Sequence, residues 1–225
     1  MKLLLWDIDG TLLASGGAGM RALEKAVSTE FLHGEPADLT QIDWAGRTDR
    51  WIAEAIFAQY GIEHTPEHVT RLLDTYIGNL PDYLERLSTV LPGIPEILTA
   101  VDQRDDIHQG LLTGNLERGA ETKLGHFDLW RHFAFGAFAD DSPRRNDLGP
   151  HALRRATTHT GITFDPANVW IIGDTPHDIA CGKVIGARTL AVATGHHSRE
   201  ELAAHQPDAL LNDFADPATF WTLLS

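Results

Sequence analysis

The sequence predicts a doubly wound α/β fold: a mostly parallel sheet flanked by helices and interrupted once by an inserted helical segment. Three observations carry this reading. Short apolar runs recur along the chain with helical patterns between them. The runs are apolar at nearly every position rather than alternating, as strands buried on both faces require, and the helical stretches supply the crossovers of a parallel sheet. Finally, about a hundred positions separate the first run from the second, whereas a helical crossover needs roughly a dozen or more.

The first strand is read over residues 3–8 and ends in acids. The insert follows, with helical patterns over 20–31, 49–60 and 66–87; the last contains Gly78 and Pro81 and is expected to kink or divide there. No strand is read inside the insert. The chain is expected to return to the core near the turn Leu91-Pro92-Gly93, so the helical unit spans 15–90 and the core comprises 1–14 and 91–225. Core strands are then read over 110–113, 133–138, 169–173, 189–193 and, on a weaker run, 209–211. Internal repeats and low-complexity tracts are absent.

Composition narrows the function classes. Of 225 residues, 43% are hydrophobic and 22% charged, the balance of a globular protein with a sizeable core. The formal net charge is −14, from 18 Lys and Arg against 32 Asp and Glu. A field of that sign repels phosphate backbones and anionic lipid, so neither nucleic acid nor a membrane is an expected partner. It also repels a small anionic ligand, so a phosphate site must be made attractive locally by a metal ion, backbone amides or a placed Arg. The single cysteine, Cys181, excludes an intramolecular disulfide and a Cys-based zinc site. The apolar run Leu3-Leu4-Leu5-Trp6 is stopped by Asp7 and Asp9, far short of a signal-peptide core or a membrane span. A cytoplasmic location is the expectation.

Four constellations carry chemistry. Trp6-Asp7-Ile8-Asp9-Gly10-Thr11-Leu12 closes the first strand, where ligands of an open parallel sheet bind. Strand alternation puts Asp7 and Asp9 on the same side, and converging carboxylates call for a cation between them; magnesium is the natural one. The run 169–173 ends in Gly173-Asp174-Thr175-Pro176-His177-Asp178, which adds Asp174 at a second strand mouth and Asp178 one helical turn further on. Thr113-Gly114-Asn115 offers a hydroxyl and helix-terminal amides as a phosphate cradle. Arg144 and Arg145 precede another helix start, where one of them can set a fixed positive charge against a phosphoryl group.

Together these motifs resemble those of the haloacid dehalogenase-like superfamily: Asp-x-Asp-Gly-Thr at Asp7 to Thr11, a Thr at Thr113, a basic residue at Arg145, and a Gly-Asp-x-x-x-Asp type motif at Gly173 to Asp178. The resemblance covers nearly the whole chain. It implies a Rossmann-like core, with the insert as a helical cap. It also implies that Asp7 attacks phosphorus to form an aspartyl-phosphate, while Asp9 protonates the leaving oxygen and then activates water. Mg2+ would be held by Asp7, the Asp9 carbonyl and Asp174, with Asp178 supporting its shell. Thr113 and the amides around Gly114 and Asn115 would bind phosphoryl oxygens. Many members have Lys at the third position; here Arg145 is favoured over Arg144 because Pro150 and its helix then follow at the family's offset. Asp9 argues against dehalogenation, which needs no proton for its leaving group.

The implied activity is hydrolysis of a small phosphomonoester, with phosphoglycolate phosphatase the nearest suggestion. The alternatives are a sugar phosphomutase of the beta-phosphoglucomutase type, a phosphate-ligand binding protein without turnover, and a phosphonate-cleaving relative that would need Lys25 in the cap. Other features read more plainly. Gly16-Gly17-Ala18-Gly19 suits a hinge into the insert rather than a dinucleotide loop. In Gly46-Arg47-Thr48-Asp49, Thr48 or Asp49 is an N-cap candidate and Arg47 a candidate substrate contact from the cap. His64 and His68, like His196 and His197, are expected at the surface or in loops, and Cys181 as an inert core thiol.

Overall fold

The first apolar run forms β1 (Lys2–Trp6), with Leu3 to Trp6 fully buried. A two-residue strand, β2 (Leu13–Ala14), leads into three helices, α1 (Ala18–Phe31), α2 (Asp49–Tyr60) and α3 (Pro66–Leu87), and the chain comes back through β3 (Thr89–Val90). Helices and strands then alternate: α4 (Ile94–Asp102), β4 (Ile107–Leu112), α5 (Glu117–Gly125), β5 (Gly136–Ala137), α6 (Leu148–Thr160) and β6 (Val169–Gly173). They are followed by α7 (Pro176–Val184), β7 (Arg188–Val192), α8 (Arg199–Ala204), β8 (Ala209–Leu211) and α9 (Pro217–Leu223). This computed structural model describes residues 1–224. Among them, no helix is long and apolar enough to cross a membrane.

Six strands form one sheet in the order β5-β4-β1-β6-β7-β8, and every pairing is parallel. This is the doubly wound, Rossmann-like α/β architecture that the apolar runs predict. From β1 the chain builds outward through β4 and β5, and from β6 it builds the other way through β7 and β8. The reversal leaves a crevice between the carboxyl ends of β1 and β6, the place where ligands of such sheets bind. Register puts Trp6 beside Leu111 of β4 and Ile172 of β6, so the three strand ends lie level.

Side-chain alternation divides β1 between two cores. Leu4 and Trp6 join a cluster with α4, α5 and α9, while Leu3 and Leu5 join one with α6. Trp6 stacks on Phe220 with ring centroids 5.6 Å apart and meets Phe214 edge-on at 5.9 Å, tying the C-terminal helix to the central strand. A separate cluster holds the helical unit together: Ala22, Ala26 and Val27 of α1, Ile56 and Phe57 of α2, and Leu72, Tyr76 and Leu80 of α3.

Several elements differ from the sequence reading, β1 among them, which ends at Trp6 rather than at residue 8. The helix 66–87 is undivided despite Gly78 and Pro81. Pro81 lies on its exposed side, so the lost backbone bond faces water while the buried face of Leu72, Leu73, Tyr76, Ile77, Leu80 and Leu84 stays continuous. β3 is a strand within the stretch where none was expected; it pairs antiparallel with β2, Leu13 opposite Val90 and Ala14 opposite Thr89. Two residues are too few to show a period. β4 starts at Ile107 rather than 110 because the polar His108 and Gln109 interrupt the apolar run; the Gln109 NH2 donates to Asp102 at 2.8 Å. The run 133–138 yields only a two-residue strand, with Phe133 and Phe138 turned into the core.

Candidate active site

Asp7 is the first residue beyond β1, and its N–H donates to the Ile172 carbonyl at 2.9 Å, which fixes it beside β6. Across the crevice stands Asp174, the first residue after β6, accepting from the Thr11 hydroxyl at 3.2 Å. Asp178 is one turn into α7, where it closes a reciprocal cap with Thr175. Oxygens of Asp7, Asp174 and Asp178 all lie within 4.8 Å of one another, and all three residues are buried. Arg145 is the counter-charge: its buried guanidinium lies 3.0 Å from Asp7 and also donates to Asp178. Arg144 instead projects outward, its side chain 82% exposed.

Three buried carboxylates against one guanidinium leave the site short of positive charge. Burial pushes the Asp7 carboxyl up to about 6 even with Arg145 beside it, and burial with the neighbouring Asp7 and Asp178 charges raises Asp174 well above the usual range. Hard oxygen donors, buried and short of one cation, fit a magnesium ion. Both Asp178 oxygens are already engaged, one by Arg145 and the other by Thr175, so Asp7 and Asp174 are the better-placed ligands.

Glycines make room for these acids. A Cβ on Gly195 would fall 1.7 Å from the Asp174 carboxylate, and one on Gly10, at φ +80°, would fall 2.4 Å from it. On Gly173 it would sit 2.1 Å from Asp178 Cγ. Gly173→Ala is therefore expected to destabilise the protein by about 1–3 kcal/mol and to shift Asp178 away from Arg145. A thermal melt together with an activity assay checks this, since both should fall.

Asp9 does not share the acid cluster. Although expected to converge with Asp7, its carboxylate faces Lys123 of α5, with Nζ at 2.7 and 2.9 Å from its two oxygens, and it accepts from Asn115 at 2.8 Å and from Ser15. The reason is that the strand ends at Trp6, so alternation no longer governs residue 9. Burial alone would raise the Asp9 carboxyl, but Lys123 and the hydrogen bonds hold it below the usual range. Sequence reasoning missed Lys123. The available signal was its place on the buried face of a short helix, with Gly119, Ala120 and Leu124.

The remaining candidates surround these groups. Thr113 is fully buried, and its hydroxyl accepts from Asn115 Nδ2 at 2.9 Å. Asn115 also accepts from Lys123 at 2.6 Å. Gly114 lies where a Cβ would strike the Arg47 carbonyl at 2.1 Å, and its own carbonyl accepts from the Asp49 N–H at 2.7 Å. Thr48 is the N-cap of α2, while Asp49 reaches across to accept from the Leu116 N–H at 2.8 Å. Arg47 stacks over Trp51 at 4.5 Å and leans toward Asp43 at 3.7 Å. Arg47, Gly114 and Asn115, together with Asp7, Asp9, Asp174 and Arg145, line one cavity of about 310 Å³ between the helical unit and the sheet edge.

Other residues lie elsewhere or play plainer parts. His64 and His68 pack against Phe57 and Phe31 respectively, while His196 meets Trp44 edge-on at 5.5 Å on the cavity rim. Cys181 is buried, and burial pushes its thiol up to about 11, as suits an unreactive core residue.

Comparison with known proteins agrees with this geometry. The family model described as haloacid dehalogenase-like hydrolase matches residues 4–192. An N-acetylmuramic acid 6-phosphate phosphatase of Pseudomonas aeruginosa is 30% identical over 91% of this chain and 87% of its own length. A phosphoglycolate phosphatase of Synechococcus elongatus is 28% identical over 96% of this chain and 95% of its own. A crystal structure of a hydrolase from Pseudomonas syringae superposes with a TM-score of 0.77 over the whole of both chains at 19% identity. With its acids at the switch point of the sheet and the family model spanning most of its length, the chain belongs to the haloacid dehalogenase-like hydrolase family.

Proposed function

We propose that this family member is a magnesium-dependent phosphohydrolase that cleaves small phosphomonoesters through an aspartyl-phosphate on Asp7. The observation that carries the reading is the division of charge at the strand ends. Asp7 stands with Asp174 and Arg145, and Asp9 is held apart by Lys123. One acid is thus placed for nucleophilic attack and the other for proton transfer.

An Asp7 oxygen attacks phosphorus, and the bond to the ester oxygen breaks as the leaving alcohol takes a proton that Asp9, ionised at rest, first binds from solvent. Water then attacks the aspartyl-phosphate and gives a proton to Asp9, which restores Asp7 and releases inorganic phosphate. Arg145 sets fixed positive charge beside the transferring group, and Thr113 with the amides of Gly114 and Asn115 forms the cradle for its oxygens. Magnesium, held by Asp7 and Asp174, would supply the remaining positive charge. Residues 15–90 serve as the cap. Its contacts with the core include Thr48 to the Pro143 carbonyl at 2.6 Å, Asp49 to the Leu116 N–H at 2.8 Å and Arg118 to Asp74 at 2.6 Å, which seat it over the cavity. Phosphoglycolate and N-acetylmuramic acid 6-phosphate, named in relatives, belong among the esters to test.

Purified protein given a panel of phosphomonoesters with magnesium is expected to release inorganic phosphate, and excess chelator is expected to stop it until magnesium is restored. Undiminished release in chelator would remove the metal from the reading. No release from any ester, in protein that binds magnesium, would favour the mutase or the binding protein.

A further inference from the structure

The same cavity has a second half that phosphoryl chemistry does not use. Much of its lining from the helical unit is apolar: Met20 and Leu23 of α1, Leu39, Ile42 and Trp44 of the loop that follows, and Ile52 of α2. The Trp44 to His196 contact narrows the rim between this loop and the core. At about 310 Å³ the space falls within the range of sites that enclose whole organic ligands, so a phosphoryl group with a two-carbon acid would leave much of it empty.

Charge on the wall points the same way. Of the cations that reach the cavity, Lys123 is engaged with Asp9 and Asn115 and Arg145 with Asp7 and Asp178, while Arg47 lies over Trp51 and toward Asp43 with its buried Nε unpartnered. Asp49, buried beside Tyr76 and Lys123, adds another acid to this end. A second anionic group on the leaving alcohol would have to break the Lys123 or Arg145 pairings, draw Arg47 away from Trp51, or lie desolvated against apolar side chains. From this lining we infer that the enzyme selects phosphomonoesters whose alcohol is uncharged and carries an apolar body, and discriminates against those with a second anionic group. The inference rests on the phosphohydrolase reading for its reaction but concerns only the leaving-group chamber.

The test reads binding without turnover. The unsubstituted protein in magnesium is titrated calorimetrically with ethyl-, butyl- and hexylphosphonate and with phosphonoacetate, whose P–C bonds leave no ester to cleave. Affinity is expected to rise about fourfold for each added methylene that the chamber buries, and phosphonoacetate is expected to bind at least about tenfold more weakly than butylphosphonate. Ile42→Asp, on the partly exposed loop, is expected to flatten the alkyl series while leaving ethylphosphonate binding in place. A flat series in the unaltered chamber, no measurable binding of any alkylphosphonate, or phosphonoacetate binding tighter than ethylphosphonate would overturn the inference. Failure of the reaction class shows separately, as absence of phosphate release by the unsubstituted enzyme from every ester.

Discussion

Asp7→Asn is expected to abolish phosphate release, lowering kcat by about 10⁴-fold or more while the protein remains folded. The amide keeps the shape of the carboxylate and can still accept from Arg145, but it is too weak a nucleophile to form the acyl phosphate. Folding should tolerate the change, because the metal-free site brings three buried carboxylates together and removing one charge relieves repulsion on Asp174. Arg145 keeps Asp178 as its partner. The metal-free variant is therefore expected to melt at or above the wild-type temperature, and magnesium, which should raise the wild-type midpoint, should raise the variant's much less. The checks are single-turnover phosphate release and paired melts with and without magnesium. Turnover within tenfold of wild type would show that Asp7 is not the nucleophile.

That site was legible because of how parallel sheets are built. Strands buried on both faces appear as unbroken apolar runs, so a run that stops at an acid marks both a strand end and the ligand-binding edge; Asp7, Thr113 and Asp174 could be placed on that ground. Arg145 could be separated from Arg144 only by offset, and its burial beside Asp7 is a tertiary fact. Lys123 was hidden for a similar reason. Its partner Asp9 is 114 positions away, and the lysine's place on one helix face with Gly119, Ala120 and Leu124 is a sign of burial but not of what its ammonium meets. The orientation of Asp9 also lay out of reach, since alternation ceases where the strand does. In the fold, what escaped was short or set by packing: the two-residue pairing of β2 with β3, and the continuity of α3 through Pro81.

Lys123→Met is expected to lower kcat by about 10²-fold with a much smaller change in KM, because the lysine acts on Asp9 rather than on the substrate's apolar body. Its side chain is only 4% exposed. Burial alone would favour loss of its proton, but Asp9, Tyr76 and Asp49 hold it protonated, so the charge beside Asp9 is permanent across the working range. That charge fixes both Asp9 oxygens in one orientation and keeps the carboxylate ionised, ready to take the proton of the attacking water. Methionine fills similar volume but leaves Asp9 and Asp49 without their common counter-ion, so a stability loss of roughly 1–3 kcal/mol should accompany the rate loss. A merely structural lysine would give the melt shift without the rate pattern, and a double-mutant cycle distinguishes the two. If Lys123 works through Asp9, adding Lys123→Met to Asp9→Asn should cost little further kcat, whereas independent roles would multiply. The helical unit takes part in this coupling. Tyr76 of α3 and Asp49 of α2 reach the same ammonium that orients Asp9, so seating the helical unit and readying the acid draw on one buried charge.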